Sequence, residues 1–348
     1  FPKIKKYMVH FPAFVYIEGN LGKFSFSEKK WFETGKLILE DIKKGKLDPE
    51  YVEEEQKRFG NLIEKRCNIL ENSELSQMDD TKLLNHLKFL FYNSIDLISF
   101  GSLAAAADYY HYSFSNYLKE IVLKKIKERK PNRKVQEYIN ILTSPTEITD
   151  IQKENIELLK ISKLLKQGEY IKENIEKHTK KYAWIYYGYQ GPAYNYEKFM
   201  NQVKETAKNL KDLDGKIEEI KKSKENIEKQ QKDFVKELKL TKSEKNMFFA
   251  AKIFMKMKGY RMMIRFRNNY NCDKIFEELA KRNVLDINKF RAMNVEEIER
   301  FVVKGEKPIN LCERKKFGIL YRKSKKDYIY GKELEKFLEN NIEKEKEV

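Results

Sequence analysis

From Phe26 onward, apolar residues recur every three or four positions along most of the chain, the spacing that gives an α-helix one apolar stripe. FSEKKWFETGKLILEDIKKG opens with Ser27 as an N-cap and closes on a glycine. DPEYVEEEQKRFGNLIEKRCNILENS opens with an aspartate and then a proline at the first helical position. Both are predicted helices. DDTKLLNHLKFLFYNSIDLISF repeats the pattern, with Leu83, Leu84, Leu87, Phe91 and Ile95 on one predicted core face, and SNYLKEIVLKKIKERK stops before Pro131. The four alanines at 104–107 predict close helix contact; the alternative is room for a ligand beneath Tyr109, Tyr110, His111 and Tyr112.

Residues 199–240 follow a different rule. Val203, Leu210, Ile217 and Leu238 share one heptad position, and Leu213, Ile220, Ile227 and Phe234 share another, with lysine and glutamate between them. Lys224 and Gln231 interrupt the first position and Gly215 sits within the repeat, so the expectation is a bent helix or an antiparallel hairpin acting as a spacer. A long apolar helix follows Thr241, then two short helices near 287–292 and 295–303. Strand signal appears late: FGILYRKSKKDYIYGKEL reads as strands at 317–321 and 327–330 around a polar turn, ending at Gly331 before a final helix. The expected fold class is mainly α: a multi-helix domain with a long coiled-coil-like arm and one C-terminal β-hairpin. Its parts are a first stretch of helical core at 1–198, the arm at 199–240, and a second stretch of core at 241–348 with the hairpin at about 316–331.

Composition narrows the function. The 348 residues are 41% hydrophobic, enough to bury a core in one large or two ordinary domains. Charged residues make up 36% and the net charge is +17, but lysine alternates with glutamate at helical spacings, the pattern of solvated faces. A dedicated nucleic-acid surface is the less favoured reading. Cys67, Cys272 and Cys312 lie far apart with no histidine at ligand spacing, so neither a disulfide framework nor a metal site is predicted, and a cytoplasmic setting fits. The stretch 89–107 is nearly long enough to span a membrane. Asp96 near its middle would cost about 2.5 to 3.5 kcal/mol there, so a buried core helix is expected and no membrane partner.

No phosphate-binding glycine loop, HExxH or GxSxG motif is present, and the four histidines are scattered, so no catalytic residue is assigned. The candidates are basic and aromatic. Arg261 and Arg265 stand one turn apart with Arg267 and Tyr260 nearby, and arginine's planar fork suits a carboxylate or phosphate. Pairing with glutamates of neighbouring helices is the plainer account. Tyr182, Trp184, Tyr186 and Tyr187 form either a stacking platform or a loop anchor before the glycines at 188 and 191.

Four segments, in order, carry a resemblance: LTSPTEITDIQKENIELLKI, HTKKYAWIYYGYQGPAYNYEKFM, GYRMMIRFRNNYNCDKIFEELAKR and MNVEEIERFVVKGEKPINLCERKKFGILYRK. Together they resemble the helical middle region of phosphoenolpyruvate-utilising enzymes: phosphoenolpyruvate synthase, pyruvate phosphate dikinase and the rifampin phosphotransferases. The resemblance covers roughly residues 142–331 and implies a machine in which an ATP-grasp domain phosphorylates a histidine on a swivelling domain, which carries the phosphoryl group to a small-molecule acceptor. Neither reactive domain is recognisable in this chain. It therefore implies a non-catalytic or substrate-holding part of an ATP- or phosphoenolpyruvate-dependent phosphotransferase, with no cofactor of its own. ATP and magnesium would belong to ATP-grasp and swivelling domains supplied in cis or in trans. The residues matching the family's helical pattern are His178, Tyr182 and Trp184, with Arg261, Arg265 and Arg267; with Tyr187 they are the candidate ligand-binding set. The alternatives are a basic helical nucleic-acid-binding module and a helical scaffold that recruits a partner.

Overall fold

The first helices form where local chemistry starts them. Asp48 accepts a hydrogen bond from the Glu50 N–H at 2.9 Å, and Pro49 takes the first helical position of α2 (Pro49–Glu71). Ser27 precedes α1 (Glu28–Lys43). Thr149 and Thr241 close capping boxes with Gln152 and Glu244 at the starts of α6 (Asp150–Lys166) and α10 (Lys242–Arg282). A computed structural model describes residues 4–7, 13–18, 21–108, 113–129, 133–189, 191–309, 311–314, 316–322 and 325–341. The chain is mainly α, with a small four-stranded antiparallel sheet.

The long helix α10 organises the interior. It runs beside α2 and packs on α3 (Asp80–Asp108), which crosses back antiparallel, while α1 covers α3. With α4 (Ser113–Arg129), α5 (Val135–Thr143), α11 (Ile287–Arg291) and α12 (Val295–Lys304), these helices enclose the main core around Ile38, Ile63, Phe100, Tyr138, Ile275 and Phe290. The alanines near 106 do make the close contact expected of them. Gly35 on α1 leaves no space there: a Cβ would stand 2.0 Å from the Ala106 carbonyl oxygen. Tyr109 to Tyr112, the alternative ligand site, lie outside the described residues.

The predicted core face of α3 holds for only part of its length. Leu83, Leu84 and Leu87 are buried, but Phe91 and Ile95 are exposed, and the core resumes at Leu90, Leu97, Phe100 and Leu103. Successive steps of four residues drift by about 40° each, so 83, 87, 91 and 95 rotate off the core, whereas alternating steps of three and four stay on it. The opposite face carries Phe91, Tyr92, Ile95 and Ile98 uncovered. Alone among the described helices, α3 is long and apolar enough to cross a membrane, and 33% of its most apolar stretch is buried.

A second cluster unites α6, α7 (Lys172–Tyr187) and α8 (Tyr196–Asn209) around Leu158, Ile175, Trp184, Phe199 and Val203, with Met263 of α10 completing it. The heptad stretch is interrupted at 210–212. Asp212 caps α9 (Leu213–Glu237) through the Gly215 N–H. Here α8 and α9 each pack on α6: Leu213 and Ile217 lie against Ile156 and Leu159, whereas Phe234 and Leu238 enter the main core. Leu210 and Asp214 meet Lys166 and Lys163 near the end of α6, and Lys224 and Gln231 reach back to the Pro145 and Ile141 carbonyls before its start. The chain thus reverses as the antiparallel hairpin expected, with its turn before Gly215.

The late hairpin is present as β3 (Lys316–Arg322) and β4 (Lys325–Tyr330), followed by α13 (Gly331–Asn341). An N-terminal hairpin, β1 (Ala13–Glu18) and β2 (Leu21–Phe26), has no counterpart in the sequence reading. It joins the late one in the order β2-β1-β3-β4, with Ala13 opposite Tyr321 and Ile17 opposite Phe317. One face buries Leu320 and Ile329 beneath Leu334 of α13. The sheet is tied to α12 through Arg314, whose Nη1 and Nη2 donate to Glu297 at 2.6 and 2.7 Å, both groups being buried. Burial opposes charge on Glu297, but the hydrogen bonds from Arg314 and the Asn294 backbone outweigh it and hold the carboxyl below its ordinary range.

Two consequences are measurable. Gly35→Ala forces α1 off α3 and should cost about 1–3 kcal/mol, read as a lower denaturation midpoint; an unchanged midpoint would refute the close approach. Because the native pKa of Glu297 is depressed, its contribution is complete at neutral pH and fades as pH falls below about 4.5 toward the native value. Glu297→Gln should therefore lower stability at pH 7 and flatten its decline in acid, as seen in denaturant titrations across pH.

Candidate functional site

The aromatic segment at the end of α7 divides by side. Tyr182, Ala183, Trp184 and Ile185 are buried among α6, α8 and α10, whereas Tyr187 and Tyr189 turn toward α10 and line an open cleft of about 290 Å³. Gly188, which ends α7, and Gly191, both at positive φ, turn the chain on either side of Tyr189. The segment is thus an anchor on one side and a wall on the other.

Its anchored half is held by specific hydrogen bonds. His178 is 2% exposed, with Nε2 3.0 Å from Glu154 Oε1 and its ring against Tyr182 and Phe199. The Tyr186 hydroxyl donates to the other oxygen of Glu154 at 3.1 Å. The Tyr182 hydroxyl donates to Glu157 at 2.8 Å, and burial raises its pKa to about 12. Trp184 Nε1 donates to the Lys181 carbonyl at 2.8 Å. These three candidate residues are embedded in packing and take no part in the lining of the cleft.

The far wall comes from α10 and α11. Asp273, 8% exposed, accepts from Arg291 Nε and Nη2 at 2.8 and 2.6 Å. Tyr187 lines the cleft with Asp273, and burial followed by that nearby carboxylate pushes the tyrosine's pKa up. Carboxylate and guanidinium therefore brace one another in the cleft wall. Cys272 lies beside them. Burial pushes its thiol up to about 12, so at neutral pH it is protonated and no nucleophile.

The three candidate arginines of α10 part ways. Arg267 donates through Nε to Glu71 Oε1 at 3.0 Å, its guanidinium lies 5.8 Å from the Trp184 ring centroid, and Asn271 donates to the same carboxylate at 2.9 Å. It is a structural arginine of the kind the plainer account describes. Arg261 and Arg265 are not. Among the described residues neither has a carboxylate partner. Arg261 lies half-buried over Gly101, where a Cβ would fall 1.7 Å from its Nη1, and burial followed by the like charge of Arg265 pushes its pKa down. The Arg265 guanidinium stands 5.0 Å from the centroid of the Tyr189 ring, which Phe266 meets edge-on at 4.9 Å. Arg265 thus adjoins the cleft through Tyr189, with Arg261, the second cation, one turn away on α10.

Of the candidate set only Tyr187 lines the cleft; Arg265 adjoins it through Tyr189 without lining it, Arg261 stands one turn away, and His178, Tyr182, Trp184 and Arg267 are set into the framework. Tyr189, Asp273 and Arg291 were missed. Tyr189 had a signal in its place between two glycines; Asp273 and Arg291 had none, since nothing local marks which charge on a helix is buried. Removing Arg267 leaves a largely buried Glu71 uncompensated, so Arg267→Ala should cost about 3 kcal/mol in denaturant titrations. Arg265→Ala should cost under about 0.5 kcal/mol. Equal losses would contradict the division of roles. No protein-family model, curated protein or solved structure matches this chain.

Proposed function

We propose that this chain is a substrate-holding helical module of the kind found in the middle of phosphoenolpyruvate-utilising phosphotransferases. It positions a small anionic acceptor in the cleft between the α7 aromatic wall and α10. The observation that carries the reading is the pair Arg261 and Arg265, one turn apart and without a carboxylate partner among the described residues, with the Arg265 guanidinium 5.0 Å from the ring of Tyr189, which lines the cleft. Bringing two guanidinium groups together without an anion is unfavourable, and an anionic ligand relieves that repulsion while gaining charge-assisted hydrogen bonds. Tyr189 offers a face for the organic part of the ligand, and the Asp273–Arg291 brace keeps the opposite wall in place.

Phosphoryl transfer is mostly a matter of positioning and charge stabilisation, so a module that orients an acceptor beside guanidinium groups contributes without cleaving ATP itself. In this reading the phosphorylating and swivelling domains are supplied in cis or in trans, bring their own nucleotide and magnesium, and work with this module in the cytoplasm. The ordered likeness of the segments at 142–331 to that family supports it.

Calorimetric titration with phosphoenolpyruvate and with pyruvate tests the site. At least one should bind saturably, and Arg265→Ala should weaken it about tenfold or more while leaving the denaturation midpoint in place. The purified chain, given ATP labelled in the γ-phosphate, should retain no label on histidine. The reading fails if binding is indifferent to Arg261→Ala and Arg265→Ala. It fails equally if a single-stranded oligonucleotide binds more tightly than either small anion and weakens steeply with salt, the behaviour of a nucleic-acid module.

A further inference from the structure

A second, larger cleft lies away from the arginine pair, where α12 and the loop after it meet the sheet. Its volume is about 430 Å³, within the range of small-ligand sites. One wall is β4. Alternate residues of a strand face opposite sides, so Ile329 enters the cluster under α13 while Tyr328 and Tyr330 point the other way, into the cleft. Their rings are near parallel, with planes 7° apart and centroids 6.3 Å apart. Phe317, buried and paired with Tyr330 across the strands, flanks both rings on the same face of the sheet. The shelf is rigid: Asn294 Nδ2 donates to the Tyr328 hydroxyl at 2.8 Å, and the Arg314 guanidinium stands 4.7 Å from the Tyr328 centroid.

The opposite wall is polar. Arg314 and Glu297 neutralise each other, and the remaining N–H groups of Arg314 donate to the Ala292 and Ile309 carbonyls, except Nε, which is buried and unpartnered. At the mouth stand Arg300, Lys307 and Glu306. Among the described residues none of these three has an ion-pair partner, so the mouth carries one net positive charge beside an aromatic shelf. Two cations fit the oxygens of a phosphate, the tyrosine faces fit a planar ring, and Glu306 fits a ring's amino edge. Neither a bare anion nor a bare aromatic uses all three features.

We propose that this cleft binds an aromatic phosphate of nucleoside-monophosphate size, its ring lying on Tyr328 and Tyr330 and its phosphate between Arg300 and Lys307. The site is separate from the cleft that Arg265 adjoins and does not rest on the function assigned to that one. The binding energy comes from stacking and from two exposed cations, which sets the expected affinity in the submillimolar range and makes it sensitive to salt.

AMP, adenosine and inorganic phosphate, each titrated calorimetrically into the full chain, test the proposal. AMP should bind at least about tenfold more tightly than either of its parts. Arg300→Ala with Lys307→Ala should weaken AMP about tenfold or more, and Tyr330→Leu about fivefold, the worth of one stacked base. All three substitutions fall at half-buried or exposed positions, and unchanged circular dichroism and melting establish that the variants fold. AMP binding no tighter than inorganic phosphate overturns the proposal. So does AMP binding that is lost in Arg265→Ala yet kept in the Arg300/Lys307 double variant, because the ligand then occupies the other cleft.

Discussion

Glu71 sits near the end of α2 and accepts from both Arg267 and Asn271, one turn apart on α10. That shared carboxylate sets the register of two long helices running side by side. An ionised group so little exposed persists only where hydrogen bonds replace its water, and sliding α10 by one residue would strip them away. Much else depends on that register. With α10 fixed against α2, Arg261 meets Gly101 on the antiparallel α3, Arg282 reaches Asp80 at the start of α3, and Met263 turns toward the α7 cluster. Both walls of the cleft beside Tyr189 are therefore placed by a contact outside it.

The electrostatics of the surface support the same division between framework and site. Lysine and the acidic residues pair within helices, as in Lys232 with Glu228, and between them, as in Lys163 with Asp214. Exposed pairs of this kind contribute little each, and they distribute the positive excess over many faces. Arg261, Arg265, Arg300 and Lys307 stand apart because they lie beside tyrosines and lack such partners among the described residues.

What could be read from the sequence was what is local. Asp48, Thr149 and Thr241 mark helix starts through bonds to residues two or three positions ahead, so a short window contains the whole interaction. The C-terminal hairpin was legible for the same reason. The N-terminal one was not, because β1 owes its place to β3 at the other end of the chain as much as to β2. Arginine roles were equally hidden. Arg265 and Arg267 are two residues apart, hence about 200° around the helix, and the sequence does not say which of those directions holds Glu71 and which holds Tyr189. The aromatic segment declared its importance but not its division, which depends on where α10 passes.

The strand order β2-β1-β3-β4 makes β1 an inner strand, bonded on both sides. A ribosome delivers β1 and β2 well before β3, so until β3 emerges the outer side of β1 has its peptide groups bare. An uncovered strand edge invites pairing with another nascent chain. Completion of this sheet thus waits for β3 and β4, and the tyrosine shelf of the larger cleft takes its final shape only then.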